Sequence, residues 1–130
     1  MAEIGGLRRS ENPRRLMGHL GLVPAGRATG ATVRRLGTTE AGDGRVRQAP
    51  VESAWCCRHA PRTGRVRHHV HGRAPAAVRD IAAEAQPRLC ARYRALSGRG
   101  TKPTVAVTAI ARELAGFVWA IGGEVQAKTA

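Results

Sequence analysis

Lysine is nearly missing from this chain: Lys102 and Lys128 are the only two among 22 basic residues, and nine acidic residues leave a formal net charge of +13. Large apolar side chains are also scarce. Leu, Ile, Val and Phe together number 24 of 130, under the roughly one-fifth level below which a highly charged chain is suspected of disorder. The chain is therefore expected to need neighbours for part of its stability. Two Trp, one Tyr and one Phe are too few aromatics for a surface that reads nucleic acid by stacking on its bases. Three cysteines, an odd number, with no secretory leader pattern argue for a reduced cytosolic setting. No apolar run approaches the roughly 20 residues that cross a bilayer, so the amphipathic C-terminal segment is read as core and no membrane partner is expected. Cys56, Cys57, His59, His68, His69, His71 and Cys90 include no Cys-x-x-Cys and no spaced His pair that would close a tetrahedral site. No zinc is expected, Cys56 and Cys57 are read as packing, and the His-rich stretch as exposed linker. The acidic residues are scattered, with no cluster able to hold two cations.

What remains is arginine. A guanidinium grips phosphate through two parallel hydrogen bonds and stays charged at any relevant pH, so an arginine-dominated chain of pI ≈ 11.6 favours a nucleic-acid partner. The blander account is a GC-rich coding sequence, which raises Arg, Ala and Gly together. A length of 130 residues suits one domain, able to bury roughly two thirds of its unfolded surface.

Residues 1–11 lack apolar periodicity and read as a flexible lead-in. Asn12 can cap a helix whose first position is Pro13, with Leu16, Met17 and Leu20 on one face and Gly21 as its stop. From Gly26 to Gly44 there are five glycines and four threonines, and only Val33 and Leu36 as sizeable hydrophobes. That composition forbids a helix and leaves room for a basic turn or hairpin around Thr32 to Thr38. After Gly44 a helix of about four turns would carry Val46, Ala49, Ser53, Ala54 and Cys57 on one stripe, but Pro50 removes a hydrogen bond inside it and predicts a later start or a bend. Residues 58–74 read as a basic linker. A long helix from Pro75 places Val78, Ile81, Ala82, Ala85, Leu89, Tyr93 and Leu96 at helical spacing, with Pro87 expected to interrupt it. The strongest helix begins at Thr104, with Val107, Ile110, Ala111, Leu114, Val118 and Ile121 on one stripe, and Gly122-Gly123 is expected to stop it. The fold class is mainly α: a small helical domain over 12–125 with a long Gly/Thr/Arg loop after the first helix and a long C-terminal helix, then a tail over 126–130.

Several separated motifs, in order, carry a family likeness: Pro13-Arg14-Arg15-Leu16-Met17, Leu20 to Pro24, Thr29-Gly30, Arg34-Arg35, Ala41-Gly42-Asp43, Val46-Arg47, Val51 to Trp55, Gln86 to Tyr93, and Val105 to Ile121. In these the chain resembles the C-terminal domain of insertion-sequence transposases of the IS one-ten, one-sixteen and nine-oh-two group, relatives of the Piv invertase with a DEDD-type nuclease domain. The resemblance implies a truncated transposase, expected to be inactive alone. A serine before the loop glycine is regarded as the family's nucleophile, attacking a DNA phosphodiester; the matching residue here is Thr29, whose extra methyl stiffens χ1 and crowds in-line attack. Taken without the likeness, Thr29-Gly30 would be an ordinary turn. Arg27, Arg34, Arg35, Arg45 and Arg47 flank it and are the candidate phosphate contacts.

The resemblance also implies an N-terminal RuvC-like domain whose three aspartates and one glutamate bind magnesium. It has no counterpart in these residues, so no cofactor is expected in this chain. Departures from the pattern, with Gly6 for Asp, Ser10 for an aromatic, Gln48 for Arg and Pro50 for Leu, each remove an anchor or weaken a helix. Expected partners are DNA, a structured guide RNA, and further copies or the full-length transposase, in the bacterial cytoplasm at the nucleoid. The competing readings are an independent basic nucleic-acid-binding module, or a remnant without function.

Overall fold

The structure, a computed structural model, describes residues 11–29, 32–38, 44–60 and 72–129, and in the strands it describes the backbone. The element order is helix α1 (Pro13–His19), strands β1 (Pro24–Thr29) and β2 (Thr32–Thr38), helix α2 (Gly44–Trp55), a 3-10 turn (Cys56–Arg58), helix α3 (Ala76–Gly98) and helix α4 (Pro103–Thr129). The domain is mainly α, as its periodicities predict. The segment after α1 contains an antiparallel hairpin of β1 and β2, wider than the turn or hairpin for which the composition left room, since Thr32 to Thr38 forms only its second strand.

Helix α1 begins as its sequence dictates. Asn12 is extended (φ −151°, ψ 161°), its Oδ1 accepts from the Arg15 N–H at 2.9 Å, and Pro13 opens the first turn. At the other end Gly21 adopts φ 65°, the Gly21 N–H donates to Gly18 O at 3.0 Å and the Leu22 N–H to Met17 O at 2.9 Å. These paired bonds close the helix in a Schellman motif, a conformation open to Gly at almost no steric cost. The closure turns Leu22 inward, and Leu16, Leu20 and Leu22 are all buried. Helix α3 ends in the same way at Gly100 (φ 78°), where the Gly100 N–H donates to Ser97 O at 3.0 Å and the Thr101 N–H to Leu96 O at 3.2 Å.

Helix α4 is the centre of the fold. Its small and branched face of Ala106, Val107, Ile110, Ala111 and Ala115 is buried, and α1, α2 and α3 each pack on it. Arg92 on α3 pairs with Glu113 at 3.1 Å, and the Arg88 guanidinium lies 5.8 Å from the Phe117 ring centroid. The Met17 methyl of α1 sits 3.7 Å from where a Cβ on Gly116 would stand. The stretch Pro103–Lys128, at a mean hydropathy of 1.5, is long and apolar enough to cross a bilayer by length and composition, which corrects the reading from uninterrupted apolar runs. Packing against the three other helices buries 33% of its apolar 18-residue stretch, and the rest of it is intermediate or exposed.

Four further expectations differ from the structure. Pro87 does not interrupt α3, which runs unbroken from Ala76 to Gly98. Pro87 and Ala83 are exposed, so the Ala83 carbonyl that loses its N–H partner to the proline ring can be hydrated. Pro50 sits inside α2, which starts at Gly44, so the later start, one of the two alternatives, is the part corrected. The α2 stripe differs as well: Val46 and Ala54 are buried, but Ala49 and Ser53 are exposed, and the Ser53 hydroxyl donates back to Ala49 O at 2.8 Å. Finally, Gly122-Gly123 does not stop α4, which continues to Thr129. A glycine costs a helix about 1 kcal/mol relative to alanine, which here does not end it.

A Cβ at Gly123 would meet nothing within 4 Å, so Gly123→Ala should stabilise the fold by about 0.5–1 kcal/mol. Gly100→Ala, at φ 78°, should destabilise it by about 1 kcal/mol or more. Urea unfolding followed by circular dichroism reads both, and a destabilised Gly123→Ala variant would mean that the helix ends earlier.

Candidate nucleic-acid interface

Strands β1 and β2 pair antiparallel with Thr29 opposite Thr32, Arg27 opposite Arg34 and Gly26 opposite Arg35. Thr29, Thr32, Val33 and Thr38 are residue types that suit strands. Strand positions alternate between faces with a period of two, so positions 27 and 29 share one face of the ribbon with their partners 34 and 32. Position 35 belongs to the other face. The hairpin thus brings together the register positions of Thr29, Arg27 and Arg34, and separates Arg35 from them. Two like charges directly opposed across an antiparallel pair destabilise it unless something between them is negative.

The other two candidates stand on the first turns of α2. Arg45 and Arg47 are two residues apart, about 200° around the helix, and so lie on different sides of it. Arg47 is half-buried. Its Nη2 lies 3.7 Å from where a Cβ on Gly44 would stand, and its Nη1 is buried without a hydrogen-bond partner among the described residues. A desolvated guanidinium N–H with no acceptor costs free energy until an anion meets it. No acidic residue stands in the first turn of α2 itself, the part of the helix where the dipole favours an anion; Glu40 and Asp43, which precede it in sequence, lie outside the described residues.

The cysteines do not share one role. Cys56 is exposed, whereas Cys57 is partly buried and Cys90 fully so, all three as free thiols. Packing is therefore the role of Cys57 and Cys90, and the expectation is corrected for Cys56. Burial, then Cys90 beside it with a thiol hydrogen bond, then Cys56, push the Cys57 thiol up to about 11. This contact ties the 3-10 turn to the middle of α3. Among the described residues no three His, Cys, Asp or Glu side chains converge as metal ligands; His68, His69 and His71 lie outside the described residues.

The turn between α3 and α4 carries no motif of the kind found in residues 27–47. The available signal was an absence: between Glu84 and Glu113 there is no acidic residue, while Arg88, Arg92, Arg94, Arg99, Lys102 and Arg112 are all basic.

Comparison with known proteins adds a family. A family model described as Transposase IS116/IS110/IS902 family matches residues 1–69. Over 127 residues the chain is 53% identical to a Sinorhizobium fredii (strain NBRC 101917 / NGR234) protein named "Putative transposase y4qE", an alignment that covers 98% of this chain and 33% of that protein. The chain thus spans about a third of that relative's length. No solved structure matches.

The thiols give a test of this part of the fold. With its pKa raised to about 11, Cys57 is almost entirely protonated at pH 8, so iodoacetamide should alkylate Cys56 at least about tenfold faster than Cys57. The folded value lies above the ordinary value of 9.0, so the stability from a neutral Cys57 is present below pH 9 and is lost as pH rises toward 11. Mass spectrometry of singly labelled protein reads the order, and equal labelling of Cys56 and Cys57 would place Cys57 outside the packed turn.

Proposed function

Because the chain belongs to the Transposase IS116/IS110/IS902 family, we propose that it serves DNA transposition as the part of such an enzyme that presents Thr29 to a DNA backbone. The observation that carries this reading is the hairpin register: Thr29 ends β1 on the face to which Arg27 and Arg34 belong, opposed to each other across the ribbon. Such an opposition is costly in isolation and favourable around a phosphate, where two guanidiniums can hold the non-bridging oxygens by charge-assisted hydrogen bonds. Arg47, whose Nη1 has no hydrogen-bond partner among the described residues, and Arg45 and Arg35 add contacts to neighbouring phosphates.

In the reaction implied by the family likeness, the Thr29 hydroxyl attacks phosphorus, a phosphate–sugar bond breaks, and a phosphothreonine keeps the energy of the lost linkage for rejoining. A base outside the described residues takes the hydroxyl proton, and the departing sugar oxygen receives one. The arginines neutralise charge that builds on the phosphate during attack. Magnesium, which the likeness implies for a separate nuclease domain, has no carboxylate cluster to hold it among the described residues, so these residues perform no step through it. The γ-methyl of threonine makes this a slower nucleophile than serine. We place the protein in the bacterial cytoplasm at the nucleoid, with DNA, a structured guide RNA and further copies or the full-length transposase as partners.

Duplex binding measured across a salt series tests the reading. Arg27→Gln with Arg34→Gln should lower the slope of log K against log salt by up to about 2, at roughly 0.9 per phosphate contact. In a full-length relative carrying this segment, Thr29→Ala should leave binding within about twofold and abolish a covalent DNA adduct, and Thr29→Ser should increase it. An adduct that survives Thr29→Ala removes the nucleophile assignment, and a non-catalytic binding module would then be the better description.

A further inference from the structure

The turn between α3 and α4 is basic in a way the hairpin reading does not use. Six cations and no acid lie between Glu84 and Glu113. Two of the six are matched at the borders of the stretch: Arg88 pairs with Glu84 at 3.5 Å and Arg92 with Glu113 at 3.1 Å. Arg112 belongs to the packed part of α4, its Nε buried. The remaining three, Arg94, Arg99 and Lys102, are exposed around the end of the α3–α4 pair, with no carboxylate partner among the described residues.

Helix stabilisation explains only part of this. Arg94 and Arg99 sit near the C-terminus of α3, where a cation meets the negative end of the helix dipole. Lys102 stands at the opposite kind of end: its carbonyl accepts from the Ala106 N–H at 3.0 Å, so it caps the start of α4, where a cation is disfavoured. No acidic residue in the first turn of α4 compensates for it. The turn is also held firmly, since the Gly100 closure fixes the backbone on which Arg99 and Lys102 are mounted, and little chain entropy remains to be lost when they meet a ligand. The surface has no aromatic residue from Arg94 to Arg112, and Val105 is its single exposed large hydrophobe. That is too little apolar area for the core of a protein interface and offers nothing for stacking on bases.

We propose that Arg94, Arg99 and Lys102 at the α3–α4 turn form a second site for the phosphate backbone of duplex DNA, separate in the chain from the hairpin and indifferent to base sequence. This rests on the reading of the chain as a DNA-binding part of a transposase. It extends that reading from one contact to two, so that the helical body itself grips DNA and orients the hairpin on it.

The Arg92–Glu113 and Arg88–Phe117 contacts step in opposite directions along the two helices, so α3 and α4 are antiparallel. Arg73, Arg79 and Lys128 therefore lie toward the other end, with Arg79 about 30 Å from Arg99 along α3. This supplies a control with the same change in net charge. Duplex DNA of mixed sequence is titrated against the 130-residue chain over a salt series, as wild type, as R94Q/R99Q/K102Q and as R73Q/R79Q/K128Q. The slope of log K against log salt should fall by about 2–3 for the turn variant, at roughly 0.9 per phosphate released, and by less than about 1 for the control. Equal falls would show that net charge acts without a site, and overturn the proposal. So would an unchanged slope in the turn variant while R27Q/R34Q weakens binding, which leaves the hairpin reading standing. Wild type without measurable duplex binding would overturn both. Binding to polyglutamate that the turn variant loses, with the DNA slope unchanged, would reassign the surface to an acidic protein. All six side chains are exposed, and far-UV circular dichroism confirms that both variants keep the fold.

Discussion

A seam of small side chains on the last helix decides how closely the other three helices can approach it. Ala106, Ala111 and Ala115 are buried there, and Gly116 leaves room for the Met17 methyl. With so few large aliphatic residues, the chain cannot fill a wide core; it narrows the core instead. Alanines at helix crossings let backbones come near, so that Leu16, Leu22, Val107 and Ile110, each about 1% exposed or less, fill what remains. Each small side chain offers little dispersion attraction by itself, and the close approach of the helices makes up the difference. The composition that raised the suspicion of disorder is thus compatible with a packed centre, because the suspicion counts large residues and takes no account of how they are spaced.

That hub also separates the molecule into parts with different work. Polar and basic residues that would be costly inside it are carried on elements at its edge, namely the hairpin, the first turns of α2 and the turn after α3. None of the buried hydrophobic positions is offset by a buried charged residue among the described residues. Arginine is suited to such edges, since its stem can lie along apolar surface while its head stays available to an anion. Arg88 over Phe117 and Arg58 over Trp55 at 5.9 Å show the same habit within the fold. Charge therefore sits where a polyanion can reach it, and the helices serve as the frame that fixes it there.

How much of this was legible depended on whether the deciding interaction was local. Asn12 before Pro13 and the glycine at 21 act within one turn of chain, and both did in the structure what their chemistry dictates. The stripe of Val107, Ile110 and Ala111 was equally plain, because a period of 3.6 is written in adjacent residues. The proline at 87 and the glycines at 122 and 123 misled, since each carries a local penalty that did not end its helix. The hairpin was half visible: its glycines and threonines ruled out a helix, but the pairing of Arg27 with Arg34 depends on register, which no single strand contains. The positive turn after α3 was hidden because it is defined by missing carboxylates rather than by a motif.

The central claim is that a DNA phosphate sits on the hairpin face shared by positions 27, 29, 32 and 34. The most direct measurement is a titration of isotopically labelled protein with a short duplex, following backbone amide resonances. The account predicts that the largest shifts cluster at Arg27 to Thr29 and Thr32 to Arg34 and saturate together. A hairpin whose resonances stay still while DNA binds elsewhere on the molecule would contradict it.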